Sequence, residues 1–413
     1  MSVTLVPPAA TATIPLGDLL PRIDAAFACV AGREWVPLSA ALGRVVAEDV
    51  RAAAPVPSFP ASAVDGWAVR ADDLGGGGRA LPVGGRIAAG HPLGGDVRPG
   101  HAYRIFTGAP VPPGLDAVAM QEDCRRDGDL VAIPSLRRGE NLRPAGETLA
   151  EGALALRAGV RVRPQEIGVA AMLGLERLPV RTRLRVALFS TGDELREVGT
   201  ALGAGCIHDA NRHLLRGLLQ GFGCTVTDFG IVADHALAVR DAIAEAAQGQ
   251  DLVLTSGGAS VGDEDHVKSA LAELGRIDQW RVAIRPGKPL ILGRVGETPF
   301  VGLPGNPVSA MVCFLLIARP ILARLGGLDL PTPRRYPLPA GFGLRKTEPR
   351  REFRRAVVAA RDGRAVVELV PGESSGMLTS MTAAEGLVEL PEGPLAVAPG
   401  DPVDFLPLSG LMP

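Results

Sequence analysis

Residues 184–194 read LRVALFSTGDE, an apolar run closed by small and acidic residues. A short apolar run bounded by turn residues fits a strand buried on both faces. The same pattern recurs downstream. CTVTDFGIV (224–232), DLVLTS (251–256), 279–285 and 299–303 read as further strands. Between them, 211–221 places Leu214, Leu215, Leu218 and Leu219 on one helical face, 235–248 is rich in alanine, and 266–274 and 307–325 read as further helices. Strands alternating with helices predict a parallel-rich sheet covered on both faces. Ligands of such sheets sit beyond the carboxyl ends of the strands. The polar text after the five strands (STGDE, ADH, SGGASVGDED, RPGKP and GLPGNP) is therefore expected to open on one rim.

On either side the pattern changes. From Asp18 to about Val50 the apolar residues fall at helical spacing: Leu19, Leu20, Ile23, Ala26 and Phe27, then Val45 and Val46. From Arg51 to Leu149, glycine and proline recur between short β-like runs such as Ala102–Phe106 and Leu130–Ile133, which predicts a small mostly-β unit. Its GGGG at 75–78 reads as a surface turn. From Pro331, alternating runs at 356–360, 365–370 and 386–390 predict a closing β unit.

The chain has 413 residues, enough for several cores. Net charge is −2 and aromatics make up 4%, which argues against bulk nucleic-acid binding and base stacking. The N-terminus lacks the charged head and apolar core of a signal peptide. The best membrane candidate, Val308–Ala318, falls short of the roughly 20 residues a span needs, and reads as a core helix. The five cysteines are scattered, without C-x-x-C, as expected for reduced thiols in a cytoplasmic protein.

Gly258–Gly262 matches the G-x-S-x-G elbow of serine hydrolases. That fold needs an acid and then a histidine downstream, and the only later histidine is His266, six residues away. No Walker loop and no GxGxxG is present. The backbone offers a better reading. Gly257 and Gly258 let a ligand approach main-chain N–H groups, Ser260 adds a hydroxyl, and Arg281, Arg285 and Lys288 add positive charge. Pro286, Pro289, Pro304 and Pro307 stiffen the loops around this set, which suits a polyanion. Asp193, Glu194, Asp263 and Asp265 would repel that anion and one another. Two carboxylates about 4 Å apart repel by roughly 4 kcal/mol at an effective dielectric near 20. A hard divalent cation reconciles them, and oxygen ligands that also tolerate phosphate point to Mg²⁺.

At these residues the chain resembles the molybdopterin molybdenumtransferase family, to which the C-terminal domain of gephyrin is also similar. The resemblance rests on PASAVDGWAV (60–69), RIFTGAPVPPGLDAVAMQED (104–123), ALFSTGDEL (187–195), SGGASVGDED (256–265), RPGKP (285–289) and GLPGNPVSA (302–310). It implies an α/β multidomain subunit: a discontinuous helical/β linker domain (1–50 and 150–180), an inserted mostly-β domain (51–149), a three-layer α/β molybdopterin-binding domain (181–330) and a C-terminal β-barrel-like domain (331–413). It implies a homodimer with a shared cleft, and Mg²⁺-dependent insertion of molybdate into adenylated molybdopterin with release of AMP. Transient contact with a molybdopterin adenylyltransferase and with molybdoenzyme acceptors follows; nucleic acid and membrane are not expected partners.

Residue by residue, the resemblance implies catalytic roles for Asp65, Thr107, Glu194, Asp234 and Asp265, with Asp65 and Thr107 supplied by the partner subunit. Asp193, Glu194, Asp263 and Asp265 would organise Mg²⁺. Ser190, Thr191, Gly192, Ser256, Gly257, Gly258, Ser260, Arg281, Arg285, Lys288, Pro304, Pro307, Arg355 and Ser375 would bind the pterin and molybdate. Three departures stand out: arginine at 281 and 285 where lysine is frequent, Thr148 where an acid is usual, and Trp67 where tyrosine is usual. In the basic run RKTEPRREFRR (345–355) the resemblance singles out Arg355 alone, and the other cations read as a solvated edge. Two rival functions keep the same fold: molybdopterin adenylation, and a non-catalytic scaffold.

Overall fold

A computed structural model describes residues 13–258, 266–372 and 374–412, with the side chains of 279 and 280 excepted. Near the N-terminus, a helix at Leu16–Ala26 buries Leu16, Leu19 and Ile23. The helical spacing read from 18 to 50 holds only this far. Val45 and Val46 instead form extended bridges to Arg161 and Val180. The strand Arg33–Pro37 pairs antiparallel with Arg177–Arg181, and Val50–Arg51 pairs with Leu154–Leu156. The segments before and after 51–149 are thus stitched together, and the intervening chain forms its own six-stranded sheet. That sheet runs 117–120, 66–69, 102–105, 79–87, 130–133, 125–127. Separate apolar clusters pack around Trp67, Leu81 and Val131 and around Ile87, Tyr103 and Ile105. The GGGG stretch lies in a 3₁₀ turn over Ala71–Gly77.

The central unit contains β1 (Arg185–Thr191), α1 (Ala210–Gly221), β2 (Thr225–Val232), α2 (Ala236–Ala246), β3 (Leu252–Ser256), α3 (His266–Leu274), β4 (Gly275–Arg281), β5 (Pro289–Val295), β6 (Thr298–Leu303) and α4 (Pro307–Leu325). The strand order is β2-β1-β3-β6-β5-β4. The first four strands are parallel, and β5 runs antiparallel to both β6 and β4. The sheet is therefore mixed rather than wholly parallel. The strand read at 279–285 begins at Gly275, and β5 went unread. This hairpin explains why RPGKP still reaches the common rim: it is the β4–β5 turn, with Arg281 paired to Pro289. β4 returns to the direction of β6, so its end and the start of β5 share the rim with Leu303.

By length and composition α4 could cross a membrane, but 89% of its apolar window is buried inside the protein. Phe314, Leu315, Ile317 and Ile321 are fully buried. Burying each such side chain contributes roughly 1.5–3 kcal/mol, so α4 is a predominantly apolar core helix.

The C-terminal unit contains β7 (Tyr336–Pro339), β8 (Arg351–Arg361), β9 (Arg364–Leu369), β10 (Gly386–Leu390) and β11 (Pro402–Pro407). Its sheet runs β8-β10-β11-β7, with β9 also on β8. Ile284–Arg285, from the β4–β5 turn, pairs in parallel with Arg351 and Glu352 at the start of β8. A loop of the central unit thereby becomes the edge strand of the C-terminal sheet.

Candidate active site

Close backbone approach fixes the rim. Gly257 has φ +91°, and a Cβ there would stand 2.2 Å from the Thr191 carbonyl oxygen. Its N–H donates to the Leu303 carbonyl at 3.2 Å. Glycine at 257 thus lets the ends of β1, β3 and β6 close on one another, and this N–H is not a spare donor for a ligand. Asn211, on α1, donates from Nδ2 to Ser256 Oγ and to the Gly305 carbonyl, both at 2.7 Å. Ser256 Oγ in turn donates to the Pro304 carbonyl at 3.4 Å. Thr191 Oγ1 donates to Asp234 Oδ1 at 3.0 Å. Ser190 is fully buried, and its Oγ has no hydrogen-bond partner among the described residues.

Asp193 and Glu194 are exposed on this rim. The backbone holds their loop: Ile207 N donates to the Glu194 carbonyl at 2.8 Å, and Arg196 Nη1 to the Asp193 carbonyl at 2.8 Å. Ser260, Asp263 and Asp265 lie outside the described residues. Among the described residues, no group of three or more His, Cys, Asp or Glu side chains is placed to hold a metal ion. The carboxylates of Asp193 and Glu194 are hard oxygen donors open to solvent. One or two such groups beside a phosphate-bearing ligand suit Mg²⁺.

Next to the rim, the β4–β5 turn, the start of α4, β8 and the 374–375 segment enclose a cavity of about 420 Å³. Its cationic walls are Arg285, Lys288, Arg350, Arg354 and Arg355, and Asn306, Ser309, Ser374 and Ser375 add polar groups. Three local features build it. Gly287, at φ +116°, packs so close to α4 that a Cβ would stand 2.3 Å from Cys313 Sγ. Val308 N, in the first turn of α4, donates to the Ser375 carbonyl at 3.0 Å. The pairing of Arg285 with Glu352 then aligns the turn along β8. The N-terminal end of α4 therefore faces the cavity, where the helix dipole favours an anion.

Glu352, only 1% exposed, organises the guanidinium groups. Arg285 Nη1 donates to its Oε1 at 3.3 Å, and Arg354 Nε to its Oε2 at 2.9 Å. Arg355 is buried, donates to Ser380 Oγ at 3.0 Å, and bonds the Gly372 carbonyl. Arg350 donates to Glu348 at 3.1 Å and to the Ile284 carbonyl at 3.3 Å. The Arg350 hydrogen bond keeps the Glu348 carboxyl below its ordinary range.

The structure places Arg285, Lys288, Arg355 and Ser375, which the resemblance assigns to molybdate binding, around one cavity. Arg350 and Arg354, read as a solvated edge, line it as well, and Glu352 was not singled out. The clue in the sequence was Phe353 amid charge, which marks a strand with an inward face. Arg281 ends β4 outside the cavity lining. Asp65 and Thr107 pair within the inserted sheet. Thr107 N and Oγ1 both donate to Asp65 Oδ1 at 2.8 Å, and these bonds lower the Asp65 pKa. Neither residue lines the basic cavity. Trp67 is buried in the inserted unit's core, so the ring contributes packing there.

Comparison with known proteins covers nearly the whole chain. Residues 14–174 match the MoeA N-terminal region (domain I and II), residues 187–324 match a family described as "Probable molybdopterin binding domain", and residues 337–408 match the MoeA C-terminal region (domain IV). The molybdopterin molybdenumtransferase of Haemophilus influenzae is 35% identical over 92% of this chain and 95% of its own length. Molybdopterin molybdenumtransferase 2 of Mycobacterium tuberculosis is 38% identical over 88% of this chain and 92% of its own. A solved structure of the molybdopterin biosynthesis moeA protein of Pyrococcus horikoshii superposes with a TM-score of 0.83 at 26% identity, covering 96% of this chain and 100% of that one.

Proposed function

From the premise that this chain belongs to the molybdopterin molybdenumtransferase family, a family of transferases in molybdenum cofactor biosynthesis, we propose that it inserts molybdate into adenylated molybdopterin and releases AMP. The observation that carries this reading is the basic cavity between the central and C-terminal sheets. Molybdate is a dianion, and the cavity sets five cationic side chains and the N-terminal end of α4 around a space of suitable size. Glu352 holds Arg285 and Arg354 in fixed orientation, so their forks meet an oxyanion with little reordering. Ser309, Ser374 and Ser375 add hydroxyl donors to the oxygens.

In this reading the pterin and its phosphoanhydride occupy the adjoining rim, where Ser190 and Thr191 end β1, Gly192 follows them and Gly258 follows β3. Asp193 and Glu194, with Asp263 and Asp265, would hold Mg²⁺. When bound, this ion neutralises phosphoanhydride charge and lowers the pKa of a water. Asp234, tied to Thr191, orients the end of β1. Asp65, kept ionised by Thr107, is suited to accept a hydrogen bond from substrate as a fixed negative charge. Because Asp65 and Thr107 lie apart from the basic cavity, they act in this scheme on the site of a second subunit in a homodimer. Cytoplasmic residence, receipt of substrate from an adenylyltransferase and delivery to molybdoenzymes complete the proposal.

The test is AMP release from adenylated molybdopterin by the purified chain, with and without molybdate and Mg²⁺. The proposal expects release only when both are present. Consumption of ATP with non-adenylated molybdopterin, and no response to molybdate, would replace insertion by adenylation.

A further inference from the structure

A second cationic cavity lies against the C-terminal half of α4. It occupies about 50 Å³ where residues 43–45, 161 and 181–184 of the N-terminal segments meet 222–224 and 319–330 of the central unit. Five arginines line it: Arg44, Arg161, Arg181, Arg183 and Arg319. No carboxylate is in its lining. Arg44 forms an ion pair with Glu34. The others meet only neutral groups among the described residues. Arg181 Nη1 donates to the Ala31 carbonyl at 3.4 Å, Arg183 Nη1 to the Gly223 carbonyl at 3.1 Å and Arg319 Nη2 to the Gly410 carbonyl at 3.2 Å, while Arg161 lies over the Phe222 ring at 5.5 Å.

Arg319 is 6% exposed, and its Nε, like that of Arg181, has no hydrogen-bond partner among the described residues. A buried cation without an opposite charge is costly, and a chain normally supplies a carboxylate or loses the charge. Arginine does not lose its charge near neutral pH. Burial, reinforced by Arg161, brings Arg319 down only to about 10. An exogenous counter-ion resolves the imbalance.

We propose that this cavity binds a small inorganic oxyanion, such as sulfate or phosphate, that locks the N-terminal segments to the central unit. Size limits the ligand. A water needs roughly 10–15 Å³ on the same measure, so the space holds about four water-sized atoms. Four oxygens of a tetrahedral oxyanion fit, and a nucleotide or pterin does not. Planar guanidinium forks suit such oxygens better than they suit a monatomic ion. The anion binds only where the two units meet, so it stabilises the folded junction by linkage.

Thermal unfolding of the full-length protein tests this, with sodium sulfate titrated against sodium chloride at matched ionic strength. Sulfate should raise Tm by about 2 °C and chloride should not. Arg161→Met should keep or raise the starting Tm, since it removes an uncompensated charge, and should lose the sulfate shift. Arg354→Ala, in the other cavity, should retain the shift. A full shift in Arg161→Met, or its loss in Arg354→Ala, would overturn the proposal. Selenate soaked into wild-type crystals decides the matter without any variant. Anomalous density between Arg161 and Arg319 supports the site, and density confined to the cavity around Arg285 refutes it.

Discussion

Arg212 and Arg354 both bond to carboxylates, yet the charge balance around them is opposite. Arg212 is 5% exposed and meets three carboxylates: Glu197, Asp209 at 3.1 Å and both oxygens of Asp228 at 2.8 Å. Burial works against its charge, and the hydrogen bonds it donates to Asp228 and Asp209 outweigh burial and raise its pKa. Around Arg354 the carboxylates are shared among several cations. Among the described residues, five cations line the cavity and two carboxylates, Glu348 and Glu352, pair with them. A cation with surplus carboxylate is a closed staple between α1, β2 and the STGDE loop. In the function proposed above, the cluster where cations gather is the one that receives an anion. The proposed function therefore rests on charge balance rather than on residue type.

The comparison predicts unequal effects. Arg212→Met should be the most damaging change, because it strands Asp209, 1% exposed, without its cation. About 3–5 kcal/mol of stability should be lost in urea unfolding, with the molybdate requirement of the folded fraction unchanged. An unaltered midpoint would end the staple reading. Glu352→Gln should act the other way round: a small change in midpoint, and a molybdate KM raised roughly tenfold, which is about 1.4 kcal/mol of oxyanion binding. Equal loss of stability in both variants would erase the distinction.

The pH response sharpens it further. The Asp228 carboxyl is desolvated, but Arg212 and the Gly230 N–H hold its pKa below the ordinary 3.8. Its folded pKa is depressed, so its stabilisation is complete above the ordinary value and is lost as pH falls through the lower one. Asp228→Asn should therefore flatten the acid limb of an unfolding-versus-pH curve below about pH 4. The smallest effect belongs to a balanced, exposed pair. Arg185 bonds Asp251 at 2.9 Å with 56% of its side chain open to solvent, and Arg185→Ala should cost less than about 1 kcal/mol.

Local patterns made much of this legible. The strands at 184–190 and 251–256 and the helix at 266–274 emerge within a residue of their reading, because apolar runs and turn residues are local signals. β5 was missed because PLILGRV follows a proline-rich turn and joins its neighbours into one ambiguous apolar stretch. The basic run at 345–355 read as solvated for a related reason. Only the pairing of Ile284 and Arg285 with Arg351 and Glu352 turns its start inward, and that contact spans 67 residues. The Arg212 staple was equally hidden, since Glu197 and Asp228 lie 15 and 16 residues away on other elements. Long-range charge balance leaves no short motif.

The central claim is that molybdate enters the cavity between the β4–β5 turn and β8. Crystals of the wild-type protein soaked in molybdate, with data collected at the molybdenum absorption edge, test it most directly. The account predicts one anomalous peak within hydrogen-bonding reach of Lys288 and Arg354. A molybdenum peak elsewhere on the chain, with this cavity empty, would contradict it.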